Sequence, residues 1–319
     1  MISCSLDALA AHEPLAGTAP EARCWVIIEQ PGPWGRDALL DSHLDAAVGQ
    51  RLAGAKAAGV SVVLARRPDR PERSGAAERH VWVARSAPGG MLLRHGMTND
   101  LESIAAWDFT AVAAGHLPAF GVVQREPVTF ICTHSGRDRC CAVEGRALMT
   151  EVLESLPPGR RQQVWECSHL GGHRFAPVCL TLPSGAVHGR LDRAKAIAVL
   201  DRAMVGEVVL DSLRGRSSLI APHQAAAIEV QRRFAVRLLD DLDVLRYLDG
   251  RAVPVSPSKG VDESARLVTA EVRHPDGRAW HATVAARDLE RARLESCGKD
   301  PVPGIAWTCL AVDPAPPWM

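Results

Sequence analysis

VTFICTHSGRDRCCAVEGRALMTEVLESLPPGRRQQVWECSHLGGHRFAPVCLTLPSGAVHGRL, residues 128–191, carries the pattern that decides the fold. Val128–Cys132 is a short apolar, β-branched and aromatic run, which reads as a buried strand. The polar stretch THSGRDRC is a loop. A helix is predicted from about Cys141 to Leu156, stopped by Pro157-Pro158-Gly159. Gln163–Glu166 reads as a second strand and CSHLGGHRFA as a second loop. VCLTL–PSG–AVHGRL is a hairpin. A closing helix spans about Asp192–Met204, with Ile197, Leu200 and Met204 on one face.

Outward from this stretch, residues 22–205 read as one order of elements written twice. The earlier copy opens with the strand Cys24–Ile28 and the turn-rich loop EQPGPWGRDALLDSH. A helix runs from about Leu44 to Ala58, with Gly59 just past its end, where a left-handed cap is expected. Val60–Ala65, the hairpin VWVARS–APGG–MLLRH and a short helix near Leu101–Trp107 complete it. A β-α-β…β-β-α order is the thioredoxin-like arrangement: two parallel strands share a right-handed crossover, and a hairpin extends the sheet. The fold expected is therefore α/β, with two tandem thioredoxin-like lobes over 1–120 and 121–206. A C-terminal α+β segment covers 207–319. Within it, residues 222–248 look helical and SPSKGVDES looks like a linker. Arg266–Arg273 and Arg278–Ala285 alternate around His274–Gly277 as a hairpin.

The chain has 319 residues, 47% hydrophobic and 23% charged, enough for a full core without disulfide staples. Thirty-seven basic residues balance 37 acidic ones, so bulk charge drives the chain toward neither nucleic acid nor an anionic membrane. No apolar run reaches the roughly 20 residues a membrane helix needs, and the first residues lack a signal-peptide pattern. A cytoplasmic location is expected. Of nine cysteines, five fall between 132 and 179, a clustering that suits metal or thiol chemistry in a reducing compartment.

Cys132 ends the first strand of the later copy, and Cys141 starts its helix. His169 and His173 lie in its second loop. In a thioredoxin-like fold these loops meet at one end of the sheet, so the four residues converge. The earlier copy has no such set. Two thiols and two imidazoles suit tetrahedral zinc or an iron–sulfur cluster. Eight residues between Cys132 and Cys141 are more than a zinc finger uses and favour the larger two-iron centre. Gly171-Gly172 between the histidines permits a tight loop. Arg137 and Asp138, inside the ligand loop, are candidates to hydrogen-bond a sulfur or orient an imidazole. Arg174 could offer positive charge to a redox partner. Cys297 and Cys309 could pair or bind metal together.

CTHSGRDRCCAVEGR followed by VWECSHLGGHRFA resembles the sucrase/ferredoxin-like family, which includes fungal thioredoxin-like ferredoxins. WVIIEQPGPWG and VVLARRPDR in the earlier copy are similar to it as well, and the resemblance covers most of 22–220. It implies a [2Fe–2S] cluster on Cys132, Cys141, His169 and His173. Cys141 precedes the small-x-x-Gly stretch Ala142–Gly145 that follows the family's second ligand; Cys140 beside it is the alternative. An electron carrier or oxidoreductase working with an unidentified redox partner protein follows, with no nucleic acid and no membrane. Two neutral histidines in place of two thiolates leave the oxidised centre with no net charge. They should raise its potential and couple electron to proton uptake. The alternatives are a structural zinc-binding module and a thiol-redox protein using Cys140-Cys141 or Cys167, although C-x-x-C spacing is lacking.

Overall fold

The computed structural model describes residues 3–68, 78–248, 251–254 and 266–318. Ten strands form one mixed sheet: β1 Cys24–Glu29, β2 Val60–Arg66, β3 Arg79–Arg85, β4 Leu92–Thr98, β5 Val122–Val123, β6 Val128–Cys132, β7 Val164–Cys167, β8 Cys179–Leu182, β9 Ala186–His188 and β10 Leu213–Arg216. Their order is β10-β9-β8-β6-β7-β2-β1-β3-β4-β5. β1 pairs parallel with β2 and antiparallel with β3, which pairs with β4. In the same way β6 pairs parallel with β7 and antiparallel with β8, which pairs with β9. The two halves repeat one pairing scheme, but they share a single sheet. Antiparallel β2 and β7 join them, through Ala65↔Cys167 and Arg66↔Glu166. Arg66 and Glu166 also form an ion pair at 2.6 Å, and Thr133 donates to the same carboxylate at 2.9 Å.

Side chains along a strand alternate between faces, and the core follows that alternation. Trp25 and Ile27 of β1, Trp82, Phe130 and Trp165 pack in one apolar cluster that runs across both halves. The intervening residues turn the other way. Cys24, Val26 and Ile28 meet Val48 and Leu52 of the helix Ala46–Gly54. Ile131 meets Leu148 and Val152 of the helix Arg146–Ser155, and Val199 and Leu200 of the helix Arg193–Ala203. Asp45 accepts from the N–H groups of Ala47 and Val48, and Asp192 from that of Lys195, so the crossover helix Ala46–Gly54 and the closing helix Arg193–Ala203 start on side-chain caps, whereas the crossover helix Arg146–Ser155 has none. The α/β class expected from the sequence is the class observed.

β10 lies at one end of the large sheet, although the sequence division puts it in the third segment. Beyond it, β11 Asp243–Leu248, β12 Arg251–Pro254, β13 Leu267–Arg273, β14 Ala279–Asp288 and Ile305–Ala315 form a second, antiparallel sheet. The helix Ala221–Phe234 covers it through Ala226 and Val230, against Ala270 and Trp280. The expected helix over 222–248 is therefore too long. Ala235, in a left-handed conformation at φ 52°, closes it, and Asp243–Leu248 is a strand held by β13. Tertiary pairing overrides the apolar spacing there. The hairpin around His274–Gly277 forms as expected. The SPSKGVDES linker lies outside the described residues. No described helix is long and apolar enough to cross a membrane.

Candidate metal centre

β6 and β7 run parallel in register, Cys132 opposite Cys167, so the loops that leave their ends emerge side by side. The first loop is closed by Thr133 N–H donating to the Cys167 carbonyl at 3.1 Å. It then packs on the earlier half. A side-chain carbon on Gly136 would fall 1.7 Å from the Gly35 carbonyl oxygen, so only glycine fits. His134 Nε2 donates to that same carbonyl at 2.8 Å, with Trp34 edge-on to its ring. Residues Cys141–Gly145 form a widened, π-type turn before the regular helix begins at Arg146. Such turns gather at functional sites because they re-aim side chains at the helix start.

The second loop turns at Gly171 and Gly172, with φ of 81° and 73°. Arg214, buried on β10, holds it: Nη1 donates to the Gly171 carbonyl at 2.9 Å and Nε to Thr18 Oγ1 at 3.1 Å. Nη2 donates to the Thr18 carbonyl, and the guanidinium lies 5.0 Å from the Phe175 ring. Nothing in the sequence marked Arg214. The charge of a guanidinium in a fully buried strand shows its purpose only once the loop it supports is in place.

These loops bring the ligand atoms of Cys132, Cys141 and His169 within 4.8 Å of one another. His173 stands next to them: its ring centre is 5.1 Å from that of His169, and its Nε2 is 3.6 Å from Asp138 Oδ2. Neither ring nitrogen of His173, nor His169 Nδ1, has a hydrogen-bond partner, although all three are buried. Buried polar atoms without partners cost roughly 1–3 kcal/mol each, so such a group is suited to an occupant. The Cys141 thiol, hydrogen-bonded to Cys132, holds the Cys132 thiol well below its ordinary range, with His169 adding to the effect. Donation to Cys132 and burial push Cys141 up. Burial pulls His173 down.

Cys140 turns away from this group. Its sulfur joins Cys4, Cys297 and Asp138 in a second buried group. Neither Cys4 nor Cys297 stood out in the sequence as its partner; Cys309 lies instead on the strand Ile305–Ala315 and packs against the core of the C-terminal sheet. Burial opposes the charge of Asp138, but the N–H groups of Cys140 and Cys297 outweigh it and bring the carboxyl down to about 2. Asp138 thus stands between the two groups. Arg137 faces a cavity of about 510 Å³ that opens beside His169 and is lined also by Trp25, Arg36, Lys56 and His134. Arg174 does not reach outward: it pairs with buried Glu13 at 2.9 Å.

Fold and site together define a mixed α/β protein with a buried set of Cys, His and Asp side chains able to hold a metal. The family described as Sucrase/ferredoxin-like matches residues 15–215, and the chain belongs to that family. No curated protein and no solved structure matches the chain.

Proposed function

We propose that the chain is a cytoplasmic electron-transfer protein in which Cys132, Cys141, His169 and His173 hold a [2Fe–2S] cluster. One observation carries the reading. Two buried thiols and an imidazole meet within 4.8 Å, a second imidazole stands beside them, and three of the imidazole nitrogens have no hydrogen-bond partner. The donor set fits, since thiolate and imidazole are the ligands of mixed two-iron centres. Bound there, the cluster supplies one-electron chemistry. The chain's residues set its conditions. Two neutral imidazoles in place of thiolates remove two negative charges, which favours a potential in the roughly −150 to +300 mV range over about −400 mV. Each imidazole keeps a second nitrogen that can bind or release a proton, so electron and proton uptake are coupled. Asp138, beside His173 Nε2, is placed to orient that ring. The cavity beside His169 offers a redox partner protein its approach.

Zinc is the second reading, because three ligand atoms so close together also suit a single tetrahedral ion. Electron paramagnetic resonance of dithionite-reduced protein, purified without air from iron-replete cells, separates the two. A rhombic signal with two iron and two sulfide per chain, lost in Cys141→Ser, is the expected result. Zinc in the place of iron, with no signal, refutes the cluster. A midpoint potential that stays flat from about pH 6 to pH 10 refutes histidine ligation.

A further inference from the structure

The second group of ligands is not explained by the first. Three sulfurs form a near-regular triangle: Cys4 to Cys140 is 3.4 Å, Cys140 to Cys297 is 3.4 Å and Cys297 to Cys4 is 3.6 Å. Asp138 Oδ1 stands 3.6 Å from the Cys4 sulfur, and all four ligand atoms lie within 4.8 Å of one another. A tetrahedral zinc ion with Zn–S of about 2.3 Å and Zn–O of about 2.0 Å requires S···S edges of about 3.8 Å and S···O edges of about 3.5 Å. The triangle is within a few tenths of an ångström of that figure. A disulfide accounts for it less well, because it joins two sulfurs at about 2.05 Å and leaves the third without a role.

We propose that Cys4, Asp138, Cys140 and Cys297 form a structural zinc site, separate from the first group, that fastens both flanks of the chain to its family core. Cys4 and Cys297 both lie outside residues 15–215, while Asp138 and Cys140 lie within them. Sulfur-rich ligation selects zinc over magnesium or calcium. Four protein ligands with no open position make the site structural rather than catalytic.

The surroundings hold the ligands in place without the ion. Asp138 Oδ1 accepts from the Cys140 N–H at 2.8 Å, and Oδ2 accepts from the Cys297 N–H and the Ser296 hydroxyl, both at 2.9 Å. The Cys4 N–H points at the Cys297 sulfur at 3.4 Å, a contact that stabilises a thiolate. The two flanks are clamped to each other again nearby, and the first is tied to the histidine loop. Asp7 accepts from Leu294 N–H at 2.6 Å and pairs with Arg291 at 3.0 Å. Buried Glu13 pairs with Arg293 at 3.0 Å and with Arg174 at 2.9 Å.

The test is metal analysis of the full chain, expressed with zinc and iron, purified without air and dialysed against EDTA. Wild type and Cys132→Ser should each retain about one zinc per chain. Cys4→Ser and Cys297→Ser should retain at least tenfold less, with the iron of wild type unchanged. X-ray absorption at the zinc edge of wild type should show three sulfurs and one oxygen, and this reading stands even where a variant misfolds. Zinc below about a tenth per chain in wild type overturns the proposal. So does zinc that survives Cys4→Ser and Cys297→Ser but is lost in Cys132→Ser, which assigns it to the first group. An intact mass two hydrogens light, from a disulfide among the three thiols, overturns it as well. Iron content reports on the cluster independently, so either assignment can fail alone.

Discussion

Gly171 and Gly172 provide an internal comparison that tests how the histidine loop is held. Both have positive φ, 81° and 73°, so alanine at either position costs about 1–2 kcal/mol in backbone conformation. Their surroundings differ. A Cβ on Gly171 meets nothing nearer than Pro20 Cβ at 3.8 Å, an ordinary contact. A Cβ on Gly172 falls 2.2 Å from Nη2 and 2.6 Å from Cζ of Arg214. Arg214 is 2% exposed and has no room to withdraw without giving up its bonds to the Gly171 carbonyl and Thr18. Losing one charge-assisted hydrogen bond costs about 1.5–3 kcal/mol. Gly171→Ala should therefore destabilise by about 1–2 kcal/mol and Gly172→Ala by about 2.5–5 kcal/mol. Urea unfolding of the two variants at one pH measures the difference, and metal analysis of the same preparations reads the site. Gly172→Ala should lose metal while Gly171→Ala keeps most of it. Equal destabilisation of the two variants, with metal retained in both, would refute the idea that Arg214 braces this loop.

The remaining expectations concern the acid limb and the contact between halves. His188 is fully buried on β9, and burial alone lowers it to about 3. Its folded pKa is thus below the roughly 6.5 of an unfolded chain. Its contribution is complete above about pH 6.5 and is lost as pH falls toward 3, by at most about 1.4 kcal/mol per pH unit. His188→Leu should flatten the dependence of unfolding free energy on pH between 6 and 4; an unchanged slope would contradict the assignment. Gly136→Ala, whose Cβ would fall 1.7 Å from the Gly35 carbonyl, should lower metal content and thermal midpoint together. Gly159→Ala, with nothing within 4 Å, should change neither.

Local pattern made the strands and crossover helices legible, because each depends on its own neighbours in sequence. Val128–Cys132, the helix start near Cys141 and the hairpin of Cys179–Leu182 and Ala186–His188 follow from apolar runs and turn residues. Cys132, Cys141, His169 and His173 could be named because parallel strands force their following loops together. What stayed hidden comes from far away in the chain. Cys4 and Cys297 are separated from Cys140 by more than a hundred residues each, and nothing near either announces a partner. Arg214 reads as one arginine among many. The strand Asp243–Leu248 reads as more helix until β13 is beside it. Asp138 was legible only in part: its place in the ligand loop was plain, but its role between two groups depends on Ser296 and Cys297.

β7 has two duties. It carries the histidine loop at its end, and it is the strand by which the earlier half is attached, through two residue pairs and the Arg66–Glu166 ion pair. The junction therefore cannot loosen without loosening the histidines. The earlier half acts as a buttress. Its freedom to change is bounded by the need to keep β2 against β7 and the Gly35 carbonyl against Gly136, a constraint of masonry rather than of chemistry.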